Sequence, residues 1–312
     1  MDTPTQPAAA DTQDEAAAYT VADIQASSSS ALDTAATVAP PSALSPDNPP
    51  WGVAAGIGVW LASVALLVLI QSFAVVPYAL SQGVNGATLA KFLSEDRAAI
   101  LISIAAVFPA HLLTLALVWA VATRFGKFSF AETLGMNWSE HVGFWTSAGL
   151  AVGLLGLGVL ITSLFGEQET ALEQMLNSSR AARYTIAALA TLTAPLVEEL
   201  VYRGVLYSAL QRRTGQAWAI AGVLALFTII HVPQYYPNLG VIVTIGILSL
   251  ALTLLRARTG KLLPCIVLHL IFNGIQSLFI VFGPLKDVQT ETQQQAPGFL
   301  LQTLTHGWQL IS

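Results

Sequence analysis

Charge is what this sequence has least of, since only 10% of its 312 residues are charged. A soluble domain carries about 25% charged residues. Here 54% of the residues are hydrophobic and the mean hydropathy is +0.64. These values exclude an ordinary soluble domain and predict a polytopic membrane protein.

Basic residues and cysteine are also scarce. The first fifty residues contain no Lys or Arg, although they hold seven of the eighteen acidic residues. This distribution argues against nucleic acid as a partner. The single cysteine, Cys265, lies in an apolar run. It cannot form an intrachain disulfide, and it does not report the redox compartment.

The N-terminal segment, residues 1–50, differs in composition from the rest of the chain. It is rich in Ala, Ser, Thr, Asp and Pro, and it cannot bury enough apolar surface to offset the entropy of ordering. We therefore predict a disordered N-terminal tail. The segment has no basic start or apolar run of a signal peptide, and it is too acidic for a transit peptide.

From Trp51 onward, apolar runs alternate with short polar breaks. A membrane-spanning helix needs about 20 mostly apolar residues. Seven segments fit: about 51–71 with an uncharged continuation to 78, then 98–122, 142–165, 184–210, 217–231, 239–255 and 262–282. HVPQYYPN separates the fifth from the sixth, because the charge-free stretch there is too long for one span. The sequence predicts an all-α membrane helix bundle of about seven transmembrane helices.

Lys and Arg residues in short loops predict the orientation of the bundle. With the N-terminus in the cytoplasm, the inside loops carry seven of these residues and the outside segments carry five. We therefore predict a cytoplasmic N-terminus. The side with seven is called the basic end, and its residues are Arg124, Lys127, Arg212, Arg213, Arg256, Arg258 and Lys261.

Polar side chains inside the predicted spans are few, and a charge at mid-bilayer costs roughly 2.5–3.5 kcal/mol on insertion scales. Such residues usually face a protein or water-filled interior. Six lie in the fourth, fifth and seventh spans: Glu198, Glu199, Arg203, His231, His269 and Asn273. A further histidine in the second span, His111, is interpreted as a packing or interior-facing residue rather than a catalytic one.

Spacing separates the two adjacent glutamates. Glu199 and Arg203 are four residues apart on one helical face, which predicts an ion pair. Glu198 points about 100° away around the axis and has no charged partner on its own helix. His269 and Asn273 are also four apart and share a face.

The polar residues of the three helices are predicted to lie near one another in depth within the membrane. Glu198 and His231 each lie fifteen residues from the turn at 213–216, which is about 22 Å. His269 lies eight residues past Lys261, or about 12 Å from the same side. A carboxylate with a histidine can deprotonate water, and a histidine with an amide can donate to an oxyanion. This is the minimum set for hydrolysing an amide.

Three motifs carry these residues: EELVYR, FTIIH and HLIFN. They resemble, in order, the EExxxR, FxxxH and HxxxN motifs of the CPBP intramembrane proteases, also called the Abi family. That family includes CAAX-processing endoproteases and bacteriocin-processing or immunity proteins. The resemblance covers about residues 180–280, including a basic turn before the third motif.

The resemblance implies an intramembrane endopeptidase and a role for each residue. Glu198 would be the general base that activates water, and His231 would help to position that water. His269 and Asn273 would form the oxyanion site. The Glu199–Arg203 pair would hold the fourth helix in register.

The resemblance also suggests a division of the chain and a setting for it. The expected regions are a tail at 1–50, N-terminal transmembrane helices at 51–165, a catalytic core at 166–285 and a C-terminal tail at 286–312. The last segment is expected either to lie flat on the membrane or to form a surface loop. The expected substrate is a membrane-bound protein or peptide, prenylated or bearing a leader, in a bacterial-type cytoplasmic membrane.

Three alternatives stay open. Zinc is one, because Glu198, His231 and His269 are potential ligands. HExxH spacing is absent and Asn273 is a poor zinc ligand, so we favour a metal-free, cofactor-free glutamate mechanism. The others are a proton-coupled transporter, since buried acids and histidines also relay protons, and a non-proteolytic scaffold or immunity protein.

Overall fold

A computed structural model of the chain describes Met1, residues 44–166 and residues 168–283. Most of the predicted N-terminal tail and the predicted C-terminal segment, 286–312, lie outside the described residues. Every named element within the described ranges is a helix. The predicted all-α class is therefore confirmed.

Within the part of the chain that the structure describes, seven helical spans are long and apolar enough to cross a membrane, which confirms the predicted number and the multi-pass membrane assignment. They are Val53–Ser81, Arg97–Thr123, Phe144–Phe165, Arg180–Thr214, Gln216–Tyr235, Leu239–Thr259 and Leu263–Phe282. Short helices in the described connections are Gly86–Glu95, Phe130–Leu134 and Ala171–Ser178.

The second span consists of two helices, Arg97–Ala105 and Val107–Thr123, which meet at Ala106. Proline is the physical cause of this break. Pro109 has no N–H to donate to the carbonyl of Ala105, so the ladder is interrupted at this point. The second helix then continues to the basic end.

The fifth span ends at Tyr235, four residues beyond the predicted boundary near 231. Pro233 lies inside the helix, where its ring removes one ladder hydrogen bond and crowds the carbonyl four residues earlier, but the helix continues past it. The next turn re-forms, with the N–H of Tyr236 donating to the carbonyl of Val232 at 2.8 Å. His231 therefore lies within a helix rather than at its end.

The fourth span is not a regular α-helix. It contains two π-helical segments, Leu189–Thr193 and Leu200–Leu206. The wider π turns weaken the regular ladder and free backbone groups for other partners, and such segments are frequent at functional sites. We call them the first and second π segments. Nothing in the hydrophobic pattern of the sequence indicated them.

The seventh span begins deeper in the bundle than the fourth span ends. Gly204 packs so closely on Leu262 that an added Cβ would lie 3.3 Å from the leucine Cδ2 atom. The fourth span continues ten residues past Gly204 to Thr214, which is about 15 Å. This offset explains how His269, only six residues into its span, reaches the depth of Glu199.

Residues 45–51, most of which fall in the predicted tail, pack on the basic end, and we call them the N-terminal clasp. Arg256, a fully buried side chain, donates from Nη1 to Asp47 Oδ1 at 2.9 Å and from Nη2 to the Pro46 carbonyl at 2.8 Å. The Trp51 indole donates to the Val205 carbonyl in the second π segment at 3.0 Å. The packed part of the chain therefore starts by Ser45.

Further basic side chains hold the clasp. Arg212 donates to the Pro49 carbonyl at 2.6 Å, and Arg124 donates to the Pro50 carbonyl. The basic residues that predicted orientation thus also bind the chain immediately before the first span.

Candidate active site

The fourth span carries a fully buried ion pair. Arg203 Nη1 lies 3.0 Å from Glu199 Oε1, and neither side chain has any exposed surface. The predicted pairing of these two residues is present. Glu199 lies immediately before the second π segment, and Arg203 lies inside it. A buried pair of this kind is stable only when the remaining donors and acceptors also find partners.

Arg203 finds those partners on the sixth span. Its Nε donates to Thr253 Oγ1 at 3.2 Å, and its Nη2 donates to the carbonyl and hydroxyl oxygens of Ser249 at 3.0 and 2.9 Å. Its guanidinium also lies 4.6 Å from the centroid of the Phe227 ring on the fifth span. One side chain therefore joins the fourth, fifth and sixth spans.

His269 lies between the two glutamates. Its Nδ1 is 2.8 Å from Glu199 Oε1, and its Nε2 is 3.8 Å from Glu198 Oε2. A carboxylate paired with an arginine can only accept, so Nδ1 carries a proton and donates it to Glu199. The 3.8 Å separation on the other side is longer than a hydrogen bond. Both atoms facing that gap can therefore contact a third group.

The two glutamates differ in access to water. The Glu198 side chain is 23% exposed, whereas that of Glu199 is fully buried. Glu198 Oε2 faces His269 Nε2, whereas Glu199 Oε1 binds Arg203 and the Nδ1 side of the same imidazole. The partly exposed glutamate is thus the one available to exchange a proton with water.

His231 lies half-buried on the fifth span. Its Nδ1 is 2.6 Å from the carbonyl of Phe227, and its ring centroid is 4.6 Å from that of Phe227. Because a carbonyl only accepts, Nδ1 donates, and Nε2 of the neutral ring is left as an acceptor. Phe227 also lies 6.2 Å from the His269 ring, so it fills the space between the two histidines.

Asn273 contacts the fourth span rather than another side chain of the site. Its Nδ2 donates to the carbonyl of Ala190 in the first π segment at 3.0 Å. Further along the same helix, Ser277 donates to the carbonyl of Ala187 at 3.2 Å. The seventh span therefore satisfies carbonyl groups along this part of the fourth span, and one Asn273 N–H is left for another acceptor.

The structure brings the predicted residues together in two ways. Glu198, Glu199, Arg203 and His269 approach one another directly through their side chains. His231 is connected to them through the Phe227 ring, which lies 4.6 Å from the His231 ring and 6.2 Å from the His269 ring. Asn273, four residues after His269 on the same helix, binds the Ala190 carbonyl instead of a side chain of this group.

Several residues of the site carried no usable signal in the sequence. Ser249 and Thr253 bind Arg203 from the sixth span, whose ionisable residues, Arg256 and Arg258, lie only in its last turn. Their spacing of four residues is the only available hint. His111 also adjoins the region, since its Nδ1 lies 2.8 Å from Thr193 Oγ1 in the first π segment.

The zinc alternative requires three converging ligands. Among the described residues, no three His, Cys, Asp or Glu side chains are grouped so as to hold a metal ion. Glu198, His231 and His269, the predicted zinc ligands, are not grouped in this way within that part of the chain. The metal-free, cofactor-free mechanism stays a prediction.

Comparison with known proteins agrees with the motifs. Residues 181–275 match the model of a family described as type II CAAX prenyl endopeptidase Rce1-like. The matched segment contains all three motifs and confirms the resemblance to the CPBP proteases. Searches of curated proteins and of solved structures each gave no significant match.

Proposed function

We propose that the protein is an intramembrane endopeptidase that hydrolyses peptide bonds with a water molecule activated by Glu198. One observation carries the proposal. The partly exposed Glu198 faces His269 across 3.8 Å, and Glu199 fixes the orientation of that imidazole from the other side. This arrangement lies inside a segment that matches a protease family.

Glu198 is the general base in this scheme. A base must reach a water molecule and must be free to accept its proton. Glu198 has an exposed fraction of 23%, whereas Glu199 is fully buried and already accepts from Arg203 and His269. The two adjacent carboxylates thus divide into one that reacts and one that supports.

His231 orients the attacking water. Its Nδ1–H is engaged by the Phe227 carbonyl, so its Nε2 is available to accept a hydrogen bond from water. Water held by both Glu198 and His231 would present a lone pair to the scissile carbonyl carbon. We assign His231 this positioning role rather than proton abstraction.

His269 and Asn273 stabilise the oxyanion. Because His269 Nδ1 donates to Glu199, donation from Nε2 to the oxyanion requires the imidazole to carry a proton on both nitrogens in this scheme. Asn273 adds its second amide N–H. Donors preorganised in a site with little water can lower the barrier by several kcal/mol.

The reaction then runs in two steps. Glu198 takes a proton from water, and the resulting hydroxide adds to the carbonyl carbon to form a tetrahedral oxyanion. When the C–N bond breaks, Glu198 returns the proton to the leaving amine. The products are a carboxylic acid, which then releases its proton to solvent, and an amine, and the Glu198 carboxylate is regenerated without a cofactor.

The substrate that we propose is a membrane-associated peptide, either prenylated near its C-terminus or bearing a leader. New N-termini should be compared, by terminal-enrichment mass spectrometry, in cells making the native protein and Glu198→Gln. Glutamine keeps the shape but cannot act as a base. Termini that depend on Glu198 should disappear, while the control Glu140→Gln, at an exposed position, should retain them.

Identical termini in native and Glu198→Gln cells, at equal membrane abundance, would overturn the proposal. If the variant instead abolished proton flux into vesicles containing the purified protein, the result would favour the transporter alternative. If neither cleavage nor flux changed, the result would favour the scaffold alternative. Purified protein offered a prenylated peptide and an unprenylated leader peptide then separates the two substrate classes.

We also propose that the basic end faces the cytoplasm. The clasp places the chain before the first span at this end, where Asp47 binds Arg256. Because the one native cysteine, Cys265, is buried, a cysteine introduced in place of the exposed Arg213 gives a clean label. A membrane-impermeant maleimide should label it only after the cells are opened; labelling of intact cells would reverse the orientation.

A further inference from the structure

His111 is a buried histidine that the proposed reaction does not use. It lies in the second span, is 6% exposed, and its Nδ1 is 2.8 Å from Thr193 Oγ1. An ionisable residue inside a membrane span is expensive and therefore points to a function. Packing alone does not explain why this position holds an imidazole bonded to the fourth span.

The direction of the hydrogen bond follows from its neighbours. The Thr193 hydroxyl donates to the carbonyl of Leu189 at 3.3 Å, so its lone pairs are left to accept. His111 Nδ1–H therefore donates to Thr193 Oγ1. Within the described residues, no hydrogen bond involves His111 Nε2, so this single bond fixes the ring.

Thr193 occupies a weak point of the fourth span. It ends the first π segment, with φ −110° and ψ −40°, and Pro195 follows two residues later. Pro195 has no N–H, so the carbonyl of Thr191 loses its ladder partner. A helix weakened in this way needs outside contacts to hold one geometry.

Two other spans supply those contacts from different sides. His111 binds Thr193 from the second span, and Asn273 binds Ala190 from the seventh. Glu198 follows Thr193 by five residues on the same span. The bond between His111 and Thr193 is thus placed to set the position of the Glu198 carboxylate.

We propose that His111 is a positioning residue for the proposed endopeptidase, which holds the first π segment through Thr193 and so aligns Glu198 with His269. This inference rests on the proposed function. It predicts an effect on turnover rather than on substrate affinity, because His111 acts through the helix that carries the base. Misplacement of a catalytic group by about 1 Å can reduce the rate about 100-fold.

The experiment measures peptide cleavage by purified protein in lipid vesicles. His111→Ala should lower kcat about 10–100-fold with KM changed less than about twofold. His111→Asn, whose amide places a donor near the Nδ1 position, should recover most of the rate. Thr193→Val should resemble His111→Ala, Thr193→Ser should resemble the native protein, and the two damaging changes should not be additive.

Hydrogen–deuterium exchange gives a readout that does not need cleavage. Peptides covering residues 189–199 should exchange faster in His111→Ala and Thr193→Val than in the native protein. The serine variant should not change this exchange. His141→Ala, at an exposed loop histidine, is the matched control and should change neither exchange nor kcat.

The outcomes separate this inference from the function on which it rests. If Glu198→Gln is inactive while His111→Ala keeps native kcat per folded molecule, His111 is a packing residue and the inference fails. Native kcat in Thr193→Val would overturn it equally. If Glu198→Gln keeps native activity, the proposed function fails, and any faster exchange in the His111 variant then reports a structural contact alone.

Discussion

The two largest fully buried side chains of the described structure are both arginines, and they are paired in opposite ways. Arg203 binds Glu199, four residues earlier on its own span, at the centre of the candidate site. Arg256 binds Asp47, which is 209 residues away in the chain and lies in the clasp at the basic end. One pair is local, and the other joins residues that are 209 positions apart in a chain of 312.

The two pairs also differ in solvent access. Glu199 is fully buried, whereas the Asp47 side chain is 58% exposed. All three guanidinium nitrogens of Arg203 have partners, whereas Arg256 Nε has none among the described residues. We infer that the first pair serves both the chemistry and the stability of the bundle, and that the second serves stability alone.

The largest expected effect follows from breaking the central pair. Glu199→Ala leaves Arg203 as an uncompensated buried charge, which should destabilise the fold by roughly 3–5 kcal/mol. It also removes the acceptor of His269 Nδ1–H, so activity per folded molecule should fall. Thermal unfolding in detergent, together with peptide cleavage, measures both losses.

A paired replacement is the control for that result. Glu199→Leu combined with Arg203→Met removes both charges, so much of the stability should return. Activity should stay low, since His269 still lacks its acceptor. An unfolding midpoint for Glu199→Ala equal to the native value would contradict the structural role of this pair.

A smaller effect is expected at the clasp. Asp47→Ala leaves Arg256 without its carboxylate, but water can reach this side, so the loss should be roughly 1–3 kcal/mol. Activity per folded molecule should stay near the native value, because no clasp residue contacts Glu198 or His269 within the described structure. Asp47→Asn, which keeps an acceptor, should lose less. A drop in kcat without a change in stability would mean that the Asp47–Arg256 pair also serves the chemistry. The two arginine pairs would then no longer differ in this respect.

The smallest effect tests how the clasp is attached to the fourth span. Trp51→Phe keeps the apolar ring but removes the donor to the Val205 carbonyl, which should reduce stability by about 0.5–1.5 kcal/mol. Thermal unfolding of the variant measures this difference. A loss as large as that of Glu199→Ala would mean that the stability of the protein depends on this contact of the clasp as much as on the central pair.

The seven spans could be predicted because a spanning helix must match the thickness and the apolar interior of the bilayer. This requirement sets its length and composition without reference to tertiary contacts. The Glu199–Arg203 pair could be predicted because residues four apart share one helical face. The end of the fifth span could not, since a proline such as Pro233 is compatible with either continuing or ending a helix.

Other parts of the site depend on contacts between distant residues. Ser249 and Thr253 are ordinary small polar residues until Arg203 is placed against them. The two π segments follow from how the fourth span packs, which its apolar pattern does not encode. Asp47 looked like one more acid in a polar tail, since nothing near it in sequence identified Arg256 as its partner.

The clasp has a practical consequence for anyone who shortens or tags this chain. The polar composition of residues 1–50 suggests that they could be removed together. Their removal would delete Asp47 and the carbonyl acceptors of Arg256 and Arg212. A shortened chain that begins at residue 44 would keep all of these contacts. Affinity tags, fusion partners and protease sites should therefore be placed upstream of residue 44.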